Sequence, residues 1–190
     1  MAENLKVIHF RNGESIQNVS DSIQWADLNT SGYCNYENNG SNVAIYGRLY
    51  NWYAINDIRI IAPEGWHIPS DEEWKELEMY LGMNQYQADD FGWRGTDEGG
   101  KLKETGTLHW NNPNNGATNE SGFSALPGGY RGDYNLYVGF DDMCYYAYFW
   151  TSTEQNSNYA LLRSLCYEKQ VIFRGYYTKR CGFSVRCVKD

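Results

Sequence analysis

The sequence predicts an α+β domain in which helices come first and a largely antiparallel sheet follows. Three observations carry this: a strongly capped amphipathic segment near residue 70, a Gly- and Asn-rich middle from about 92 to 129, and strand-like pieces from 130 onward. At 190 residues the chain is long enough for one domain with a substantial core and short for two. It is read as a single domain over 1–190, with 1–129 mainly scaffold and 130–190 the candidate ligand-binding region.

The first forty residues mix β-prone pieces such as "LKVIHF" and "SIQW" with the turn-formers "RNG" and "NNGS", giving short strands and loops. In "AIYGRLYNWYAI", Ile45, Leu49, Trp52 and Tyr53 fall at helical spacing and predict a first amphipathic helix. "PSDEEWKELEMYLG" predicts a second. Ser70 and Glu73 have capping-box spacing, the first turn is acidic, Trp74, Leu77 and Leu81 share a face, and Gly82 marks the end. The preceding "GWHIP" is extended, because Pro69 biases the residues before it away from helix. Residues 92–129, rich in Gly, Asn, Thr and Pro, predict long irregular loops. "LYVGF", "CYYAYFWTST", "YALLRSLCY", "QVIFRGYY" and "GFSVRCV" then supply the strands. Trp66, Trp74, Trp110, Trp150, Phe123 and Phe183 are expected in the core, and His67 is expected to be a hydrogen-bonded structural histidine.

A net charge of −8 and a pI near 4.9 leave no basic surface to neutralise phosphates, which argues against nucleic acid as a partner. No apolar run reaches the roughly 20 residues that span a bilayer, and the first residues carry no charged-then-apolar leader pattern. A soluble chain with no direct membrane insertion is therefore expected. Cys34, Cys144, Cys166, Cys181 and Cys187 have no metal-type spacing, and their odd number leaves at least one outside any intrachain disulfide.

In order along nearly the whole chain, "MAENLK", "YGRLYNWYA", "APEGWHIPSDEEW", "GGKLKETGTLHW", "GATNESGFSALPGGYR", "FWTSTE" and "GFSVRCVKD" resemble the family called the Fibrobacter succinogenes major paralogous domain. The resemblance implies a C-type-lectin-like fold, two helices plus a mostly antiparallel sheet with long irregular loops, distantly akin to formylglycine-generating enzymes. It implies an extracellular, cell-surface or phage-particle setting among gut Bacteroidetes and their phages. In some members the C-terminal region is rewritten by a diversity-generating retroelement, which mutates adenines and so turns Asn codons into those for Tyr, Ser, Asp, Cys, Phe and others.

Ten of the seventeen tyrosines lie from Tyr130 to Tyr177. The residue menu of such an element is met at Tyr134, Asn135, Tyr137, Phe140, Cys144, Tyr145, Tyr146, Tyr148, Tyr159, Cys166, Tyr167, Phe173, Tyr176, Tyr177 and Cys181, which form the candidate ligand-binding set. The physical argument is independent of the genetics: Tyr offers a large contact area and a hydroxyl on only two rotatable bonds, which is why paratopes favour it. The expected function is non-enzymatic binding or display of a protein or glycan ligand, without a cofactor and with no catalytic residue assigned. Strand alternation is expected to bury about half of the set.

Two alternatives stand beside this. Calcium-dependent sugar binding would draw on the oxygen-rich "WNNPNNGATNES", with Asn111, Asn112, Asn114, Asn115, Asn119 and Glu120, although the Glu-Pro-Asn and Gln-Pro-Asp triplets of sugar-binding lectins are missing. An enzyme akin to the formylglycine-generating ones would use Cys181 and Cys187, yet His9, His67 and His109 are all distant from them in sequence.

Overall fold

Ser70 caps the longest helix as its spacing predicts. Its hydroxyl accepts from Glu73 N, the Glu73 carboxylate accepts from Ser70 N, and three acidic residues complement the dipole of the first turn. The computed structural model describes residues 3–134 and 138–190 of the chain. In these, the helices are α1 (Ser22–Asp27), α2 (Ser41–Tyr46), α3 (Trp52–Ile55), α4 (Asp71–Tyr80), α5 (Gln85–Asp89) and α6 (Glu98–Leu102). The strands are β1 (Gln17–Asn18), β2 (Gly32–Cys34), β3 (Leu49–Tyr50), β4 (Trp66–His67), β5 (Gly92–Arg94), β6 (Gly128–Arg131), β7 (Phe140–Met143), β8 (Tyr146–Glu154), β9 (Tyr159–Cys166), β10 (Ile172–Thr178) and β11 (Val188–Lys189).

The first predicted helix is broken into two. Gly47, at φ 76°, takes a left-handed conformation that ends α2, β3 follows, and the Asn51 side chain then caps α3 by accepting from Ala54 N. The helical spacing of Ile45 and Trp52 is therefore coincidental.

The main sheet is antiparallel with order β5-β10-β9-β8, so β10 and β9 lie at its centre, the long β8 forms one edge and the short β5 the other. Smaller sheets surround it: β1-β2-β3, β6-β7, and the pair β4-β11, which makes "GWHIP" extended as expected. "GFSVRC" acts as a hub rather than a plain strand. Phe183 bridges Tyr50, Ser184 bridges Phe149, and Gly182 bridges Arg131.

Alternation gives the main sheet two faces. On one, Trp150, Leu162 and Ala160 pack against Tyr50, Trp52 and Phe183. On the other, Phe149, Leu165 and Ile172 pack against Trp74, Leu102 and Trp110. This second face also carries a buried ion network. Arg163 bonds Glu78 at 2.6 Å and Asp71 at 2.7 Å, Arg174 bonds Asp71 at 2.7 Å, and Arg94 bonds Glu78. Burial alone would raise the Asp71 carboxyl, but Arg174 and Arg163 outweigh it and hold the group at about 2. α4 is thus fastened to the sheet by charge as well as by Trp74.

Trp74, Trp110, Trp150 and Phe183 are core, as expected. Trp66 and Phe123 are half-buried at the margins of the two main clusters. His67 lies between Asp190 and Glu73, 2.6 Å from each, which is the structural role expected of it.

Candidate functional site

Four strands contribute one residue each to a row across the exposed end of the main sheet. Trp93 in β5 pairs with Phe173 in β10, Phe173 with Ser164 in β9, and Ser164 with Tyr148 in β8. All four point to the same side, because directly opposed residues share a face. Toward Trp150 this face is sealed by the core described above. Around the row it opens as a cup of about 270 Å³ lined by Trp93, Asp142, Tyr146, Tyr148, Ser164, Phe173 and Tyr177.

Local sequence explains the shape. Large rings stand on the outer strands and a small serine lies between them, so the floor is low and the walls are high. Gly175 deepens the effect: a side chain there would collide with the Phe173 ring, which lies across it. The walls hold one another in place. Tyr146 stacks on Tyr148 with centroids 5.7 Å apart, Trp93 meets Phe173 at 5.3 Å, and Tyr148 meets Tyr177 edge-on at 6.5 Å.

Polar atoms are few and distinctive. Tyr148 donates its hydroxyl to Asp142 at 2.6 Å. Burial raises the Asp142 carboxyl above the ordinary aspartate value, the Tyr148 hydrogen bond opposes that, and neighbouring Asp141 adds to the rise. Asp142 has φ 65°, a conformation that Asp tolerates better than most side chains. The Ser164 hydroxyl, in a residue only 2% exposed, has no hydrogen-bond partner. The Lys169 ammonium lies 5.4 Å from the centre of the Trp93 ring.

Of the residues singled out in sequence, Tyr146, Tyr148, Phe173 and Tyr177 meet in this cup. Tyr159 and Tyr176 have the opposite strand parity and lie on the helix-covered side of the sheet, and Tyr167, in the turn after β9, packs on the cluster of that side together with Tyr145 from the turn before β8. There, Tyr145 packs edge-on with Tyr167 at 5.2 Å, and Tyr176 packs with Tyr159 at 5.6 Å and with Phe91 at 6.2 Å. The set therefore does not form one continuous surface, because alternation divides it. Among the described members of the set, Tyr134, Tyr145 and Tyr176 are exposed, at 55%, 44% and 50%. Phe140 packs on Tyr36 beneath Arg131, and Cys144 is half-buried in the turn before β8.

Cys166 and Cys181 are corrections, being 1% and 0% exposed with no face to offer a partner. Cys181 is tied to the Thr178 hydroxyl. Tyr148 is also buried as a residue and shows only the edge that lines the cup. Asn135 and Tyr137 lie outside the described residues. Trp93, Asp142 and Ser164 were missed. A tryptophan in the glycine-flanked "GWRG" was the available signal for Trp93, whereas nothing local marks Ser164.

The alternative sites are built differently. Asn114 donates to the carbonyls of Glu104 and Gly106, Asn115 to that of Glu168, and Asn119 exchanges hydrogen bonds with Ser124, so these amides shape loops. Among the described residues no three His, Cys, Asp or Glu side chains gather into a metal-type group. Burial pushes the Cys181 thiol up to about 12 and the Cys187 thiol up to about 11, which leaves both protonated near neutrality.

No curated protein and no solved structure matches the chain. The match to the Fibrobacter succinogenes major domain runs over residues 1–189, through α4, the glycine-rich loops and the "GFSVRC" hub: the chain belongs to that family.

Proposed function

We propose that this chain is a non-enzymatic ligand-binding or display domain on a C-type-lectin-like scaffold, with the aromatic cup as the centre of its binding surface. One observation carries the reading: a row of half-buried rings lines an open cup on one face of a sheet whose other face is fastened to α4 by a buried ion network. Rings in a core are covered. Rings left on a rigid, hydrogen-bonded floor are available to bind. The buried, protonated thiols and the hydrogen-bonded His67 and His109 support binding over catalysis. Long loops around antiparallel sheets, with the N-terminal segment held beside the C-terminal one by Leu5 N to Val185 O, suit the lectin-like scaffold.

The ligand is a protein or glycan presented outside the cell or on a particle. Retroelement diversification would be confined to positions whose side chains are not locked in the core, which removes Cys166 and Cys181 from the variable set.

A glycan and surface-protein array tests the reading with two variants. Tyr146→Ala with Tyr177→Ala strips the cup, and Tyr145→Ala with Tyr167→Ala strips the pair on the other face. The expected outcome is loss of hits for the first variant alone, with both melting as folded proteins. Hits retained by the first variant would overturn the assignment of the cup.

A further inference from the structure

The chemistry inside the cup selects among ligands, an inference that rests on the cup being the binding surface. Its rings offer electron-rich faces, and its polar groups combine hydroxyls that both donate and accept with a single carboxylate. Asp142 brings a carboxylate, and Tyr148 has committed its proton to that carboxylate and keeps only lone pairs. The Ser164 hydroxyl is buried and unpartnered at the floor. Asp142 is half-buried, and a carboxylate in such a place is stabilised by a cation beside it. Among the described residues Asp142 has no ion-pair partner: its neighbours are the Tyr148 hydroxyl and a second carboxylate, Asp141. The Lys169 ammonium beside the cup rests over Trp93, so the carboxylate is left to be matched by a cation from outside, one carrying N–H donors or polarised methyl groups.

We infer that the cup takes an organic cation, an ammonium or guanidinium head group on a slim chain, with Asp142 as its counter-ion, Ser164 as a second acceptor and the rings of Trp93, Tyr146, Phe173 and Tyr177 as its walls. Cations over aromatic faces are attracted electrostatically, most strongly over tryptophan. The protein makes this contact with itself, since the Lys169 ammonium rests over Trp93. A volume of about 270 Å³ admits the end of a lysine or arginine side chain. The net charge of −8 draws such ligands toward the molecule.

The test is calorimetric titration of the full chain with Nα-acetyl-lysine amide, Nα-acetyl-arginine amide, tetramethylammonium, neutral citrulline amide and a neutral methyl hexoside. Wild type should bind at least one of the three cations, and citrulline amide at least tenfold more weakly. Asp142→Asn, a substitution suited to the left-handed backbone there, should weaken cation binding by tenfold or more with an unchanged melting temperature. Lysine- and arginine-bearing peptides then separate a free cation from a protein-borne one, through tighter binding of the peptide. Equal affinity of Asp142→Asn for the cations would overturn the inference. Binding of the hexoside alone, abolished by Trp93→Ala, would overturn the cation but keep the cup. No titration signal from any probe, together with array hits that survive loss of Tyr146 and Tyr177, would remove both.

Discussion

His67 is held by two carboxylates at once, Asp190 at Nδ1 and Glu73 at Nε2, and this pairing joins the C-terminal residue to the cap of α4. The hydrogen bond to Asp190, then that to Glu73, raises the imidazole above its ordinary 6.5. For Glu73, burial works upward, but the bonds from Ser70 and His67 prevail and lower it from 4.5. A base with a raised folded pKa contributes stability that is complete below its unfolded value and fades as pH rises through the folded one. A depressed acid contributes above its unfolded value and fails as pH falls. The pairing is therefore strongest between about pH 4.5 and 6.5. Urea midpoints for wild type and His67→Ala should differ most in that window, by ~1 kcal/mol or less because the groups are partly exposed, and converge well above it. Lys103 is a contrasting residue. Burial pushes its ammonium down to about 8, and it spends its three protons on the carbonyls of Asn115, Cys166 and Lys169. Within "GGKLKETG" it gave no sign of such a role, since its acceptors come from loops far along the chain.

Among the elements, α4 was the most legible, because capping box, dipole and apolar stripe are all written within fourteen residues. Its charged face was not legible. Glu78 looks like a solvent-side glutamate in "DEEWKELEMY", yet it is fully buried against Arg94 and Arg163, which arrive from β5 and β9. Removing one partner of such a network leaves charges buried without compensation. Glu78→Ala should cost about 3–5 kcal/mol in chemical unfolding, whereas Glu76→Ala, outside the network, should change little. The strands were legible as pieces, and alternation told which residues share a face. Which face would be open depends on the partner strand, and β5, the strand that brings Trp93, was hidden in a stretch that composition marks as loop.

For the molecule as a whole, the division at residue 129 is one of sequence character and not of folding. Tyr50 and Trp52 pack with Trp150 and Leu162, and Trp74 and Trp110 with Phe149 and Leu165, so both main clusters need both parts of the chain. The full chain should unfold in one cooperative transition, with circular dichroism and tryptophan fluorescence coinciding, and a fragment spanning 1–129 should show no cooperative melt. The α+β class with mostly antiparallel sheets was readable from local patterns. The expected two helices followed by strands are instead, among the described residues, six α-helices interleaved with the short strands β1 to β5, whose few residues leave no alternation to read. The cup was only half readable: its tyrosines stood out by composition, but its acid, its floor and its tryptophan are assembled by pairing between distant segments.

The hollow's lining hangs from a lattice whose cohesion is carried by main-chain amides, which are indifferent to the letter written at 146, 173 or 177. Recutting those letters would change what fits while leaving the lattice standing. If the cup binds as proposed, a molecule made this way would exchange one quarry for another in a single genetic step, and related chains should differ at these positions above an unchanging chassis.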